Sequence, residues 1–518
     1  PISTEILVVG GGPAGSYAAA ALAREGFEVT LLEAANFPRY HIGESLLPSV
    51  RPFLAFVDAE ESVMNYGFTI KPGAAVKLNQ FKREGYTDFI TLNPNNGSWN
   101  VIRSEFDDLL FRHASKCGAA VFDNTRVAEI QFDGGRPVSA DWRNASTGTR
   151  GRISFSYLVD ASGRNGIMST KYLKNRRYNQ ALNNIACWGY WEGTGSYMPG
   201  TTRQNAIWVE ALEDESGWAW FIPLHDGSTS VGIVMDQESS NRKKASRAAS
   251  GGSGPNLLAH YKEELSRAPG VLRLIGNGTL QNDGTPEAVK SASDFSYSAP
   301  SYAGDHFRLA GDSGAFIDPF FSSGVHLAFT GGLSAALTIA ASIRGLCSED
   351  DAQRWHTSKV ATSYTRFLLV VLGTYKQIRN QYMPVMSDVD EDNFDRAFDL
   401  IRPVIQGTAD VGKALTEDEL QKTMDFCRHL FAPTDPEMHS AVKARQGGLT
   451  SPDGPVMTEC EVDRLLRDAD EEAKIVLKEI NARKPIHTMY NPTENFGVEE
   501  HFGFKAVLER GKLGLVTA

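Results

Sequence analysis

Hydrophobic and polar positions follow a definite order at the start of the chain. A strand-like apolar run over Ile6–Val9 stops at a group of glycines, and an alanine-rich helical pattern follows and ends near Gly26. A second apolar run covers Val29–Leu32. This order of strand, glycine loop, helix and strand predicts an α/β fold with a nucleotide-binding first half.

The pattern changes from mixed α/β to helical at about Asp350, where the segment RWHTSKVATSYTRFLLVVLGTYKQI has apolar residues at helical spacing. We therefore divide the chain into a core over residues 1–349 and a mainly helical C-terminal module over residues 350–518. The polar, low-complexity stretch at residues 237–256 predicts a mobile, solvated loop within the core. The longest apolar runs, Leu333–Ile343 and Phe367–Leu372, are too short to cross a bilayer, so no membrane span is expected.

Composition and charge narrow the class of partner. The chain has 518 residues, of which 42% are hydrophobic and 22% charged, as in ordinary globular proteins that can enclose a deep pocket. A net charge of -11 argues against nucleic-acid binding and favours a small-molecule substrate. The five cysteines form no CxxC pair and the histidines show no metal-like spacing, so we expect a cytoplasmic protein without a metal.

The glycine loop has the spacing of a dinucleotide-binding turn. Gly10, Gly12 and Gly15 form GxGxxG, which permits a tight turn, close approach of a pyrophosphate and tight helix packing. Glu33 follows Gly10 by 23 positions, at the end of the second strand, where a carboxylate can accept hydrogen bonds from a ribose. From these residues alone the nucleotide is NAD or FAD.

Later segments favour FAD. YLVDASGR contains Asp160 and FRLAGDSGAFIDP contains Asp312, each after an apolar strand. Alone, both could be ordinary strand-end turns. With the N-terminal fingerprint they resemble, in order and spacing, the three FAD-wrapping segments of aromatic-hydroxylase-like flavoproteins. That resemblance places Asp312 near the ribityl chain and Arg103, in VIRSEFDDLL, on the phosphate side of the flavin, although a lone arginine there is more often a surface residue.

The heptapeptide GWAWFIP, Gly217–Pro223, makes the resemblance more specific. Trp218, Trp220, Ile222 and Pro223 form WxWxIP, which resembles the signature of flavin-dependent halogenases. By itself the heptapeptide also fits a strand with two aromatic core residues. Three companion segments resemble the same family, namely its flavin strap, its lysine segment and its halide loop: RYHIGESLLPS (residues 39–49), GFTIKPGA (67–74) and FIDPFFSSGVHLAF (316–329).

The resemblance implies an FAD-binding Rossmann-like domain of the aromatic-hydroxylase type, an added substrate-side sheet, and a C-terminal module that covers the substrate pocket. Arg39 and Ile42 of the strap join the expected cofactor contacts. The resemblance also implies that a separate flavin reductase supplies reduced FAD, that reduced FAD with dioxygen and chloride yields hypochlorous acid, and that bromide can compete with chloride. The backbone amides of Ser323 and Gly324 are expected to bind the halide.

Lys71 is the residue that the resemblance selects for catalysis. In the family this lysine receives hypochlorous acid, through a hydrogen bond or as a chloramine, and delivers chlorine to an aromatic ring. A lysine in a loop is usually a solvated charge, and Lys77 lies six residues later, so the local pattern alone does not choose between them. The bulky indoles of Trp218 and Trp220 would keep the organic substrate away from the flavin.

The substrate class follows from one departure. Tryptophan halogenases carry a glutamate where this chain has Phe321, and a phenol, which activates its own ring, dispenses with that carboxylate. The amino-acid sequences of the motifs most resemble those of fungal halogenases that modify phenolic polyketides. Two other functions stay open from sequence: an aromatic monooxygenase of the same fold that reduces its flavin with a nicotinamide, and an inactive flavin-binding regulator.

Overall fold

The computed structural model describes residues 1–90, 94–249, 256–382, 436–450, 457, 459–466, 471–490, 496–497 and 499–518. Within these ranges the strands are, in chain order, β1 (Ile6–Val9), β2 (Val29–Leu32), β3 (Thr69–Lys71), β4 (Gly73–Lys77), β5 (Gly85–Asp88), β6 (Ser98–Asn100), β7 (Ala120–Phe122), β8 (Thr125–Asp133), β9 (Arg136–Asn144), β10 (Arg150–Ser154), β11 (Tyr157–Asp160), β12 (Arg177–Glu192), β13 (Ile207–Ala211), β14 (Gly217–Pro223), β15 (Ser228–Asp236), β16 (Thr279–Leu280), β17 (Lys290–Ser298), β18 (Ala303–Gly304), β19 (Phe307–Leu309), β20 (Glu500–His501), β21 (Phe504–Val507) and β22 (Gly514–Thr517).

The helices of the described ranges are α1 (Pro13–Arg24), α2 (Val50–Phe56), α3 (Glu60–Met64), α4 (Arg103–Lys116), α5 (Gln237–Ala249), α6 (Leu257–Leu265), α7 (Pro269–Ile275), α8 (Gly324–Ile343), α9 (Glu349–Ile378), α10 (Pro436–Thr450), α11 (Glu459–Leu465) and α12 (Glu471–Tyr490). The predicted order β1, α1, β2 at the N-terminus is confirmed.

The first sheet is the predicted nucleotide-binding sheet, and it is parallel except for its edge pair β18–β19. Its strand order is β18-β19-β11-β1-β2-β7, with β1 parallel to both β2 and β11. Every residue of β1 and β2 is buried, as a parallel sheet covered on both faces requires. Helices α1 and α8 pack on one face, and the three-stranded sheet β8–β10 packs on the other.

The second sheet is the expected substrate-side sheet. Its order is β16-β12-β15-β14-β13-β4-β5, with β17 paired to β12, and its pairs are antiparallel except for β13 with β4. Residues alternate along β14, so Trp218, Trp220 and Ile222 face one side while Ala219 and Phe221 face the other. The tryptophan side packs against α9 and the 317–321 segment, and the opposite side packs against α6 and α7.

Helix α8 is longer than the apolar run that the sequence pattern indicated. The apolar run from Leu333 belongs to a 20-residue helix that starts at Gly324, and by length and composition this helix could cross a membrane. In the fold, 89% of its most apolar window is buried within the protein. It is the central helix of the core, packed between α1 and α9.

The stretch predicted as a mobile loop is largely a helix. Residues 237–249 form α5, and residues 250–255 lie outside the described part of the chain. The polar composition was misleading because the stretch is rich in Lys, Arg and Ala, which favour helices. Its one inward residue, Ser240, is hydrogen-bonded to His260 at 2.9 Å, and Lys243 pairs with Glu264 at 2.5 Å.

The C-terminal region is helical at first and ends in strands. Helix α9 is continuous over 30 residues, and helices α10 to α12 share a small apolar core of their own. Residues 383–435 of the predicted helical module lie outside the described part of the chain. The last residues form the antiparallel sheet β20–β22, whose Ala506 and Leu515 pack into the core of the first sheet.

Candidate active site

The glycine turn after β1 fits a dinucleotide. Gly10 has a φ of +104°, and a Cβ there would collide with the carbonyl oxygen of Ala161, while a Cβ at Gly15 would collide with that of Gly10. Gly12 caps α1 without a side-chain hydrogen bond, so the first amides of the helix are left to an outside acceptor. A cradle closed to side chains and open at a helix N-terminus is suited to a pyrophosphate.

Glu33 stands at the end of β2 beside this turn. Its carboxylate accepts hydrogen bonds from the backbone amides of Gly11 at 2.6 Å and Ala35 at 2.7 Å. The guanidinium of Arg39 lies 4.0 Å from Glu33 and is hydrogen-bonded to Asp107 at 3.0 Å. Three predicted positions, Gly12, Glu33 and Arg39, therefore meet at one edge of the sheet.

Two other predicted cofactor residues hold the protein backbone. Asp160 is fully buried and accepts hydrogen bonds from the amides of Ser162 at 3.0 Å and Met168 at 2.8 Å, so it fixes the turn behind the glycine loop. Arg103 forms a two-point ion pair with Asp107 and donates to the carbonyl of Ile42 at 2.9 Å. Through its hydrogen bond to Ile42, Arg103 anchors the strap, residues 39–49.

Asp312 has a different environment. It lies in a short 3₁₀ turn over Gly311–Ser313, and its carboxylate accepts no hydrogen bond from any described residue. Burial raises the pKa of Asp312, while the guanidinium groups of Arg164 and Arg103 act in the opposite direction. An acceptor without a partner at this place suits a bound polyol, and the contact of Asp312 with the ribityl chain stays a prediction.

Lys71 is buried in a short strand, β3, in which the apolar side chain faces solvent and the charged side chain faces the interior. In β3 the apolar Ile70 is 63% exposed, whereas Lys71 is only 1% exposed. The ammonium nitrogen donates to the Ser45 hydroxyl at 2.7 Å and to the Leu46 carbonyl at 3.0 Å. Within the described part of the chain no carboxylate pairs with it, and the desolvation lowers the pKa of Lys71 to about 7.

Lys77, the other lysine of the segment, lies on β4 and is partly exposed. Burial in the structure therefore distinguishes Lys71 from Lys77, which the local sequence pattern does not. Lys71 is held by the strap itself, since Ser45 and Leu46 both belong to it. The ring of Phe89 lies 5.3 Å from the Lys71 nitrogen and helps to exclude water.

Trp218 and Trp220 are both buried, with ring centroids 5.8 Å apart. The indole of Trp220 donates to the Ser230 hydroxyl at 3.1 Å and fits over Gly232, where a side chain would collide with it. Trp218 packs edge-on against Phe320, with centroids 5.0 Å apart. The two indoles therefore form a wall next to the segment predicted to bind halide.

The first part of that segment, residues 316–324, ends at the start of α8, and from here on the name halide loop refers to these residues only. Ser322 has a φ of +56° and Ser323 is the residue before the first helical position, Gly324. The hydroxyl of Ser323 is buried without a hydrogen-bond partner among the described residues. Helix-start amides next to an unpaired buried hydroxyl form a small donor site that suits an anion.

Sequence reasoning missed two groups. Glu44 lies within the quoted strap segment, but only the structure shows that its carboxylate is buried and hydrogen-bonded to Tyr190. Tyr375 of α9 contacts Trp218 and Asp318, which are remote from it in sequence. Glu44 is the one acidic residue of the strap, which was a usable signal, whereas nothing in the helical pattern of α9 marked Tyr375.

The fold and the site define the chain as an FAD-dependent oxidoreductase with the aromatic-hydroxylase architecture. The tryptophan halogenase family matches residues 5–93 and 75–345. Flavin-dependent halogenase armH1 of Armillaria mellea is 60% identical over 522 residues, which cover 100% of this chain and 99% of that protein. The chain belongs to the flavin-dependent halogenases.

Two further relatives extend the comparison. Sulochrin halogenase gedL of Aspergillus terreus is 48% identical over 539 residues, covering 100% of this chain and 94% of that protein. The solved structure of the myxobacterial chondrochloren halogenase CndH superimposes with a TM-score of 0.65 at 26% identity, over 83% of this chain and 97% of that one. The protein is an FAD-dependent halogenase, and the monooxygenase alternative is not favoured.

Proposed function

We propose that this halogenase chlorinates an electron-rich phenolic ring and that Lys71 transfers the chlorine. The environment of Lys71 carries the proposal: a buried amine, held by one hydroxyl and one carbonyl and paired with no carboxylate among the described residues. Such a group is costly to fold, because burial disfavours its charge. Retaining it at this position fits a reactive amine.

The residues that would hold FAD are those of the glycine turn, with Glu33, Arg39, Ile42 and Asp312. When bound and reduced, FAD would supply two electrons to dioxygen, and dioxygen is the oxidant that converts chloride into hypochlorous acid. We include in the proposal a separate flavin reductase as the source of reduced FAD and bromide as a competing halide. We include a cytoplasmic setting in the proposal, and the described residues Cys117, Cys187 and Cys347, which form no disulfide bond, agree with it.

Lys71 can act in two forms at neutral pH. With a pKa of about 7, the amine and the ammonium are both populated. The amine attacks hypochlorous acid to form an N–Cl bond and release water, after which chlorine passes to the ring and the ring loses a proton. The ammonium instead donates a hydrogen bond to hypochlorous acid and makes its chlorine more electrophilic. In both cases Ser45 and Leu46 fix the position of the nitrogen.

Chloride and the phenol use different parts of the site. The Ser323 and Gly324 amides, with the buried Ser323 hydroxyl, are the donors we assign to the halide. Trp218 and Trp220 form the wall that keeps the ring on the Lys71 side. This division favours chlorination over direct oxygen transfer to the ring.

The phenolic class rests on two observations. Phe321, where tryptophan halogenases carry a glutamate, packs against Phe320 with centroids 5.0 Å apart, so an apolar ring replaces the carboxylate. A phenol supplies its own activation by electron donation from oxygen. Among the relatives, the Aspergillus terreus enzyme acts on sulochrin, a phenolic polyketide. We extend the proposal to a C-terminal module that covers the pocket for such a substrate.

The test is incubation with reduced FAD, dioxygen, chloride and a panel of phenols, read by mass spectrometry for the chlorine isotope pattern. A free tryptophan sample serves as the matched negative substrate. We expect monochlorinated phenols and unchanged tryptophan. Hydroxylated phenols without chlorine, formed with direct consumption of NADPH, would overturn the proposal in favour of oxygen insertion.

A further inference from the structure

The proton balance of the proposed reaction requires an entry path. Making hypochlorous acid follows FADH₂ + O₂ + Cl⁻ + H⁺ → FAD + HOCl + H₂O, so one proton is consumed for each chlorine that is oxidised. The side chains of Lys71, Trp218 and Trp220 are buried, so they have almost no direct contact with solvent. A route from solvent to the strap is therefore needed, and this inference rests on the function proposed above.

A chain of hydrogen bonds leads from the surface to the strap. Tyr40 is 52% exposed, and its hydroxyl lies 2.9 Å from that of Tyr190. The Tyr190 hydroxyl donates to Glu44 Oε1 at 2.6 Å, and Glu44 is only 3% exposed. Three side chains thus connect solvent to a buried carboxyl group without a gap.

The donors fix the direction of this chain. The Trp188 indole donates to the Tyr40 oxygen at 2.7 Å, and Tyr190 uses its own proton toward Glu44. The Tyr40 proton is therefore the one that points at Tyr190. A proton that reaches the Tyr40 oxygen from solvent moves the Tyr40 proton to Tyr190 and the Tyr190 proton to Glu44.

The inner end of the chain, Glu44, adjoins residues that contact Lys71 and Trp220. Ser45, the residue after Glu44, holds the Lys71 nitrogen at 2.7 Å. Ser230, which accepts from the Trp220 indole, also stabilises the charged form of Glu44. The second carboxylate oxygen, Oε2, is buried and has no hydrogen-bond partner within the described part of the chain, so it can carry the transferred proton.

We propose that Tyr40, Tyr190 and Glu44 form a proton relay that delivers the proton consumed in making hypochlorous acid. Glu44 accepts at Oε1, the protonated carboxyl rotates about its Cγ–Cδ bond, and the proton leaves toward the site. The carboxylate that remains takes the next proton from Tyr190. No oxidant or reductant beyond those of the halogenation is needed.

The charges around Glu44 are compatible with this role. Burial raises the pKa of Glu44 to about 7, and Tyr190, Ser230 and Arg103 oppose that rise while Asp226 adds to it. Burial raises the pKa of Tyr40 to about 12 and that of Tyr190 further, so both remain neutral and pass protons only through hydrogen bonds. The ammonium of Lys290 lies 5.1 Å from the Tyr40 ring.

The first test needs no cofactor. Infrared difference spectra of the FAD-free protein over about pH 5 to about pH 9 should show a protonated carboxyl band that titrates near 7 and is absent in Glu44→Gln. Tyr190→Phe should move that midpoint upward, because it removes the hydrogen bond that stabilises the carboxylate. A band with the ordinary glutamate midpoint, or no band that depends on Glu44, would overturn the relay.

The second test uses the loaded enzyme. Glu44→Gln and Tyr190→Phe should each slow chlorination at least about tenfold at about pH 8 and raise the hydrogen peroxide released per reduced FAD. The matched control is Tyr197→Phe, which breaks a similar tyrosine–glutamate pair, the Tyr197–Glu84 hydrogen bond of 3.1 Å, beside the opposite face of the second sheet. We expect it to leave the rate unchanged.

Unchanged rates and pH profiles in both relay variants would overturn the relay while leaving the proposed function standing. A wild-type protein that chlorinates no phenol would contradict the proposed function instead. In that case the infrared titration still decides whether Glu44 and Tyr190 share a proton as the relay requires.

Discussion

The indole nitrogen of Trp218 donates a hydrogen bond to the hydroxyl oxygen of Tyr375 over 2.7 Å. The same hydroxyl donates to Asp318 Oδ2 at 2.7 Å and accepts from the Asn184 amide at 2.8 Å. Asp318 belongs to the halide loop and accepts from the Phe320 amide at 3.1 Å. One residue of α9 therefore joins the tryptophan wall to the halide loop.

Replacing Tyr375 by Phe should destabilise both the tryptophan wall and the halide loop. Trp218, Asn184 and Asp318 would each lose a buried hydrogen-bond partner, at a cost of about 1–3 kcal/mol in the free energy of unfolding. We also expect less chlorinated product for each reduced FAD consumed, because the wall and the loop would no longer be held together. Urea unfolding and product yield measure the two effects.

Tyr364→Phe is the matched control for this prediction. Tyr364 is buried on the same helix, and its hydroxyl makes no hydrogen bond within the described part of the chain. Its removal should leave the product yield unchanged. If the two variants have the same yield and the same unfolding free energy, Tyr375 does not position the site.

Gly12→Val should separate FAD binding from folding. The φ of Gly12 is -72°, and a Cβ there would meet only the Arg39 guanidinium, at 3.3 Å, so the fold can accept it. The added side chain would still occupy the approach to the helix N-terminus. We expect a free energy of unfolding within about 1 kcal/mol of the wild-type value. The affinity for FAD should be lower by on the order of a hundredfold.

Quenching of flavin fluorescence measures that affinity, with Gly135→Val as the control. Gly135 lies in the turn before β9, and a Cβ there meets nothing within 4 Å. Full FAD affinity in Gly12→Val would show that the pyrophosphate does not bind at this turn.

The buried amine of Lys71 predicts a pH dependence of stability. Its pKa falls from 10.5 to about 7 on folding, so between these values the unfolded chain binds a proton that the folded chain does not. The unfolding free energy therefore rises with pH across this window and decreases as pH falls toward 7. Relative to Lys71→Leu, wild type should gain up to about 4 kcal/mol between about pH 7 and about pH 10.

Urea unfolding of both proteins at a series of pH values measures this difference, and contributions from other groups cancel. A flat difference between wild type and Lys71→Leu would mean that Lys71 keeps an ordinary pKa. Its folded environment would then be more solvated than the structure shows.

Local patterns in the sequence predicted the elements that depend on neighbouring residues. The glycine turn, β1, α1 and β2 follow from glycine spacing and hydrophobic period, and GWAWFIP lies on a strand with both tryptophans on one face. Helix α5 was misread because its polar composition hid the one inward residue, Ser240. The terminal strands were missed because their burial depends on returning to the first sheet.

Long-range contacts explain the remaining differences at the site. Arg103 was expected at the cofactor, and the structure uses its nitrogens on Asp107 and the strap carbonyls. The pairs Glu44–Tyr190 and Trp218–Tyr375 join residues separated by more than a hundred positions. No local pattern encodes such pairs, because they form only when the strap, the second sheet and α9 pack together.

The central claim is that Lys71 transfers chlorine after hypochlorous acid has been made. The most direct measurement is the rate at which Lys71→Leu and Lys77→Leu form chlorinated phenol. FAD binding and scavenger-trapped hypochlorous acid are recorded for both variants. Leucine is chosen because it adds no oxidisable group. We predict that Lys71→Leu binds FAD and releases hypochlorous acid but chlorinates the phenol at least about a hundredfold more slowly, while Lys77→Leu remains active. Chlorination by Lys71→Leu at a rate near wild type would contradict the account.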